Sequence, residues 1–94
     1  MFSWDTAKAL INFEKHKVSF EEAVTIFRDA EGFDIPDGKH SILESRFQRL
    51  GISMLNRLLL VIYTLRRSED GKKTIRIISA RQASRKERRV YARQ

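Results

Sequence analysis

Seven cations lie between Thr74 and Gln94 (Arg76, Arg81, Arg85, Lys86, Arg88, Arg89 and Arg93) against the single acid Glu87, so this stretch supplies +6 of the chain's formal +7. Six of the seven are arginines, whose planar fork of donors matches phosphate oxygens two at a time, where a lysine offers only a point charge. A local arginine cluster of this kind suits a phosphate-bearing polymer; a merely solvated basic face is the competing reading. Arg76 and Arg81 flank the end of a strand-like run, and Arg85 and Arg88 open a short helix. Several guanidinium groups can therefore converge on one phosphate, with a helix N-terminus beside them. Ser84 and Glu87 have the spacing of a capping box that starts this helix. At 100° per residue, Arg85, Arg88 and Arg89 share one face, while Glu87, Val90 and Tyr91 lie opposite and can rest on a sheet. Tyr91 can donate a proton or stack on a base, and core packing is its other reading.

A second polar group lies near the start of the chain. Lys8, Asn12 and Lys15 fall within about 60° of one another on a helix, with His16 at the edge, and could meet a substrate together. His16 is a candidate general base; near a helix C-terminus it can equally serve as a partner for the helix dipole. His40 falls in a loop and is assigned no role.

The remaining sequence bounds what surrounds these groups. At 94 residues the chain is expected to form one domain, residues 1 to 94, with one modest core. It has no cysteine, which removes disulfides and thiolate metal sites, and two isolated histidines make a histidine-based metal site a poor expectation. No structural metal and no cofactor are expected. The longest apolar run is Leu58 to Tyr63, far short of the ~20 residues a spanning helix needs, and no signal peptide opens the sequence, so no membrane association and a cytoplasmic location are expected. Charge is split along the chain. Residues 1 to 45 carry five cations and nine acids, netting −4, and residues 46 to 94 carry fourteen cations and three acids, netting +11.

The elements that must position the charged groups read as follows. Met1 to Trp4 is a candidate short strand, and Asp5 is a good N-cap for a helix running to His16, with Ala7, Leu10 and Ile11 at helical spacing as its apolar residues. Ser19 and Glu22 have capping-box spacing, with Val18 and Ala23 at the staple positions, so a second helix starts there. Phe20, Ala23, Val24 and Phe27 give it one apolar stripe ending near Asp29 or Ala30, and the two helices should pack as a short hairpin. Glu31 to Ser41, with Gly32, Pro36 and Gly38, reads as a loop that can hold a brief strand at Phe33 to Ile35. Arg46 to Ile52, Arg57 to Arg66 and Lys73 to Ser79 read as an antiparallel meander, its second turn carrying Asp70-Gly71. The middle strand is apolar on both faces, Leu58, Leu60 and Ile62 on one and Leu59, Val61, Tyr63 and Leu65 on the other. Two helices can cover one face. The other needs the terminal helix, a second copy or a different protein.

The opening Phe2-Ser3-Trp4-Asp5-Thr6-Ala7-Lys8, the segment Lys15-His16-Lys17-Val18-Ser19-Phe20-Glu21-Glu22-Ala23 and the tail from Arg76 to Tyr91 together resemble the BrnT family of bacterial type II toxins, in order and spacing over essentially the whole chain. Trp4, Asp5, Lys8, Asn12, Lys15, His16, Phe20, Glu21, Arg76, Ser79, Arg81, Ala83, Glu87, Arg88 and Tyr91 stand where the family pattern has them. The sequence departs from it at Lys17, where the family usually has Gly, and at Thr64-Leu65-Arg66, which lacks the acid expected after Thr64. The resemblance implies an α+β, RelE-like fold: two N-terminal helices, an antiparallel β-sheet of three to four strands and a short C-terminal helix. It also implies a ribonuclease that blocks translation and a BrnA-like antitoxin with a ribbon-helix-helix domain, through which alone operator DNA is bound.

Metal-free RNA cleavage needs a group to activate the 2′-hydroxyl, charge to stabilise the phosphoryl oxygens and a proton for the leaving oxygen. The candidates are Arg76 and Arg81 for charge, His16 as general base, Tyr91 as proton donor and Lys8 as a further catalytic residue meeting the substrate, with Arg85, Arg88, Arg89, Lys15 and Asn12 for holding RNA. The sequence also admits a basic nucleic-acid-binding or regulatory domain without catalysis, and a purely structural adaptor. An antitoxin must cover basic and apolar surface together, so an acidic, partly disordered partner segment is expected to order across the sheet and the final helix.

Overall fold

The computed structural model describes residues 1–35 and 46–94. Most of the loop expected around Pro36 and Gly38, and His40 with it, falls outside the described residues. The elements run β1 (Phe2–Ser3), α1 (Thr6–His16), α2 (Phe20–Thr25) with a 3-10 turn over Ile26–Arg28, β2 (Phe33–Ile35), β3 (Arg46–Ile52), β4 (Leu58–Arg67), β5 (Lys73–Gln82) and α3 (Arg85–Ala92). None of these helices is long and apolar enough to cross a membrane.

The five strands form one sheet in the order β1-β5-β4-β3-β2. β2 to β5 pair antiparallel as expected. Both short segments that could have stayed loops join as edge strands, so the sheet has five strands rather than three or four, and β1 runs parallel to β5. β5 continues three residues beyond the expected Ser79.

Helix starts follow the local chemistry. The side chain of Asp5 accepts from Lys8 N at the head of α1, and that of Ser84 from Glu87 N at the head of α3, where Glu87 returns the bond to make a full capping box. The box expected at α2 is only half formed. Ser19 caps Glu22 N, but the Glu22 carboxylate turns inward to Ser53 and Arg57 instead of back to the cap. Lys17, where the family has Gly, ends α1 in the left-handed region at φ 59 and ψ 31. A side chain there costs about 1 kcal/mol or more relative to Gly. The Lys17 N–H donates to Phe13 O, and its carbonyl accepts from Arg57 Nη2 at 3.0 Å.

Two apolar clusters sandwich the sheet. Leu59, Val61, Tyr63, Ile77 and Ala80 pack with Val18, Phe20, Ala23 and Ile26 on the helical side, and Leu50, Leu58, Leu60 and Ala83 pack with Phe33 and Tyr91 on the other. Gly51 permits the close approach on the helical side, since a Cβ there would stand 2.9 Å from that of Ile26. On the second face, α3 supplies cover at the Leu50–Leu60 end.

α1 and α2 both lie chiefly against β5 rather than forming a hairpin with each other. The docking of α1 departs from expectation. Ala7, Leu10 and Ile11 face solvent, and the inward stripe is Ala9, Asn12 and His16. The reason is the edge of β5: β1 pairs with it at Ile75 and Arg76, leaving the backbone beyond without a strand partner on that side among the described residues. Asn12 takes the missing strand's place. Its Nδ2 donates to Ala80 O (2.9 Å) and Val18 O (3.0 Å), and its Oδ1 accepts from Ala80 N (3.1 Å). Asn12→Ala would strand three buried backbone groups and is expected to lower stability by about 2–3 kcal/mol, read as a denaturant midpoint.

Candidate functional site

The β5 register decides which arginines act together. Arg76 and Arg81 are five residues apart, which in a regular strand puts them on opposite faces. β5 instead pairs Ile62 with Ser79 and Tyr63 with Ile77, so Ile78 is an extra residue in a β-bulge. The bulge brings Arg76, Ser79 and Arg81 onto one face, together with their partners Thr64, Ile62 and Leu60. Across β4, Thr64 also faces Arg46, so Arg46, Thr64 and Arg76 form one row over three strands. Adjacent strands are ~4.8 Å apart, which puts the two arginine backbones roughly 10 Å apart, within the reach of two guanidinium groups toward one phosphate. Thr64 is buried, and Arg46 and Arg76 are half-buried.

Beside this face, along the edge that α1 closes, lies a shallow depression of about 220 Å3 lined by Lys8, Ile11, Asn12, Lys15, His16, Ile78 and Ser79. It gathers four of the residues singled out on α1. Ser79 belongs both to this depression and to the arginine face, so the two form one continuous surface. At its N-terminal end the Asp5 carboxyl is held below its ordinary range, mainly by the hydrogen bond from Lys8 N and with a contribution from the charge of Arg76. Among the described residues Arg76 makes no ion pair.

Three expectations change. Asn12 lines the depression, but its amide is engaged by β5 and Val18, so it ties α1 to the edge of the sheet. Arg81 is not a free cation: its Nη1 and Nη2 donate to Glu87 Oε1 (2.8 Å) and Oε2 (2.9 Å), a bidentate pair that pins the start of α3 to β5. This pairing, helped by the hydrogen bonds of the cap and opposed by burial, holds the Glu87 carboxyl below its ordinary range. Tyr91 lies on the arginine face but toward its β2 edge, stacked on Phe33, with its hydroxyl donating to Asp29 Oδ2 at 2.6 Å. Burial, then the Asp29 carboxylate, pushes its pKa up to about 12. It is not part of the depression and serves as an anchor for α3.

Arg85, Arg88 and Arg89 are exposed on α3 as the helical wheel predicts. Glu87 and Tyr91 face inward, but Val90 is 41 % exposed and does not rest on the sheet. Residue type alone does not nominate Arg46, which sits thirty residues before Arg76 and is joined to it only by sheet register. A reading of strand pairing row by row would find it.

Comparison with known proteins supplies the rest. A family model described as the ribonuclease toxin BrnT of type II toxin-antitoxin systems matches residues 4–87. Among curated proteins none matches. The 1.1 Å crystal structure of the Brucella abortus ribonuclease toxin BrnT is similar with a TM-score of 0.66 and 23 % identity, covering 90 % of this chain and 99 % of that one. That likeness shows the same α+β fold, and the family match covers the depression, the arginine row and the Arg81–Glu87 pair alike: the chain belongs to the BrnT family of ribonuclease toxins of type II toxin-antitoxin systems.

Proposed function

We propose that this chain is a metal-independent endoribonuclease that halts translation in the cytoplasm by cutting RNA, and that a BrnA-like ribbon-helix-helix antitoxin neutralises it, operator DNA being bound only through that antitoxin. The observation that carries the reading is the continuity of the arginine face with the α1 depression through Ser79. A scissile phosphate seated over Thr64 would have Arg76 and Arg46 on either side to take up charge developing on its non-bridging oxygens. His16 would draw the proton from the 2′-hydroxyl as its oxygen attacks phosphorus. Lys8 would give a proton to the departing 5′-oxygen, and Lys15 with Arg85, Arg88 and Arg89 would hold flanking phosphates. The bond made is 2′-O to phosphorus and the bond broken is phosphorus to 5′-O, leaving a 2′,3′-cyclic phosphate and a 5′-hydroxyl.

The nucleophile is therefore within the substrate, and this gives the test. A single 2′-deoxy substitution at the cleaved nucleotide of a short RNA is expected to abolish cleavage there while leaving binding intact. Cleavage of the deoxy substrate at the same position would refute the mechanism, and stoichiometric, salt-sensitive binding without cleavage of either substrate would refute the enzyme.

A further inference from the structure

Among the described residues the outer face of α1 has no partner. Leu10, Ile11 and Phe13 are 65 %, 63 % and 49 % exposed, and Ala7 is exposed beside them. This apolar stripe runs at the helical i, i+3, i+4 spacing that normally marks a buried face. It borders a second hollow of about 230 Å3 lined by Trp4, Leu10, Phe13, Phe20 and their neighbours. On its other side Ile11 belongs to the basic depression with Lys8 and Lys15. The stripe has Lys8 and Lys15 along its Ile11 side, Glu14 within it and Glu21 at the second hollow, which matches a helix that is apolar on one face and acidic only along the edge meeting the two lysines.

We infer that α1 is the docking site for an acidic amphipathic helix of the antitoxin, which lays its apolar face on Leu10, Ile11 and Phe13 and its carboxylates on Lys8 and Lys15. The inference rests on the toxin reading above and deepens it. A helix so placed lies over the mouth of the depression, so docking and exclusion of RNA are one event, and inhibition is competitive with RNA. It also moves the antitoxin's seat from the sheet and α3 to the edge that α1 closes.

The experiment uses the antitoxin encoded with this chain, purified as the complex, and compares the wild-type toxin with Leu10→Glu and with an Arg85→Glu, Arg88→Glu, Arg89→Glu triple variant. Leu10 touches neither the depression nor the arginine row, so free Leu10→Glu should keep its thermal midpoint and its RNA cleavage. Its affinity for the antitoxin should fall ~10–100-fold, the loss of a buried anchor, and the antitoxin should raise KM for RNA without changing kcat. Undiminished affinity for Leu10→Glu with loss in the triple variant would seat the antitoxin on α3 and overturn the inference. A dimer of the isolated toxin that Leu10→Glu dissolves would give the stripe to a second copy and overturn it equally. Failure of the ribonuclease reading shows separately, as absent cleavage by the free wild-type protein.

Discussion

Replacing Arg76 with alanine is expected to lower kcat for RNA cleavage about 10²–10³-fold, the usual loss when one preorganised donor to a developing charge is removed, with little change in fold. Arg76 is half-buried, makes no ion pair among the described residues and stands in one row with Thr64 and Arg46. Its guanidinium is free to turn to a phosphate. Arg81 gives the contrast. Its two terminal nitrogens are held by Glu87, so Arg81→Ala should loosen α3 and weaken RNA binding while costing less in kcat than Arg76→Ala. A larger kcat loss at Arg81 than at Arg76 would move the phosphate two rows along the sheet. Steady-state kinetics on a short RNA, with a thermal melt of each variant, separate these outcomes.

Replacing Arg57 with alanine is expected to cost about 3 kcal/mol of stability, because it leaves a buried carboxylate uncompensated. Glu22 is 4 % exposed. It accepts from Ser53 Oγ at 2.6 Å and from Arg57 Nε at 2.9 Å, and its second oxygen accepts from Arg57 Nη2. The same Nη2 reaches Lys17 O, so the group also holds the strained end of α1. For a domain with 5–15 kcal/mol in total, a loss of ~3 is large.

The group has a pH signature as well. The Arg57 hydrogen bond, against the opposing effect of burial, keeps the Glu22 carboxyl below the ordinary glutamate value of 4.5. A carboxyl depressed in the folded state adds stability that is fully present above its unfolded value and is lost as pH falls through its folded one. In wild-type protein this contribution should therefore be complete above the ordinary value of 4.5 and fall away as pH drops below it. In Arg57→Ala the main depressing cause is gone and burial remains, so protonation of Glu22 relieves its buried charge and the stability gap between the two proteins should narrow as pH falls. Trp4, packed edge-on against Phe20 at 6.1 Å, supplies a fluorescence signal for the titration. A stability gap between the two proteins that does not change with pH would contradict this role for Arg57.

The parts of the fold that were legible in the sequence are those decided within a few residues. The cap at Asp5, the box at Ser84 and Glu87 and the two-faced apolar pattern of β4 are local facts, and each stands where the sequence puts it. The departures are long-range. The stripe of Ala7, Leu10 and Ile11 has the right period for a core face, but the edge of β5 captures Asn12 across 68 residues and turns that stripe outward. Glu22 has the right spacing to complete a capping box, yet Arg57, 35 residues on, takes its carboxylate. Tyr91 is drawn to Asp29 across 62 residues and away from the depression. For the site, residue types identified the basic strand end and the α1 cluster. The shared face of Arg76 and Arg81 depends on the bulge at Ile78, and the addition of Arg46 depends on register, neither of which any residue type announces.

The most direct test is multiple-turnover cleavage of RNA by the purified chain in excess EDTA, with Arg76→Ala alongside. Many RNA molecules cut per protein molecule by the wild type, ending in 2′,3′-cyclic phosphate and nearly abolished in a normally folded Arg76→Ala, is the predicted result. Cleavage that stops in EDTA and returns with a divalent cation, or that proceeds undiminished in Arg76→Ala, would contradict a reaction carried by the arginine face.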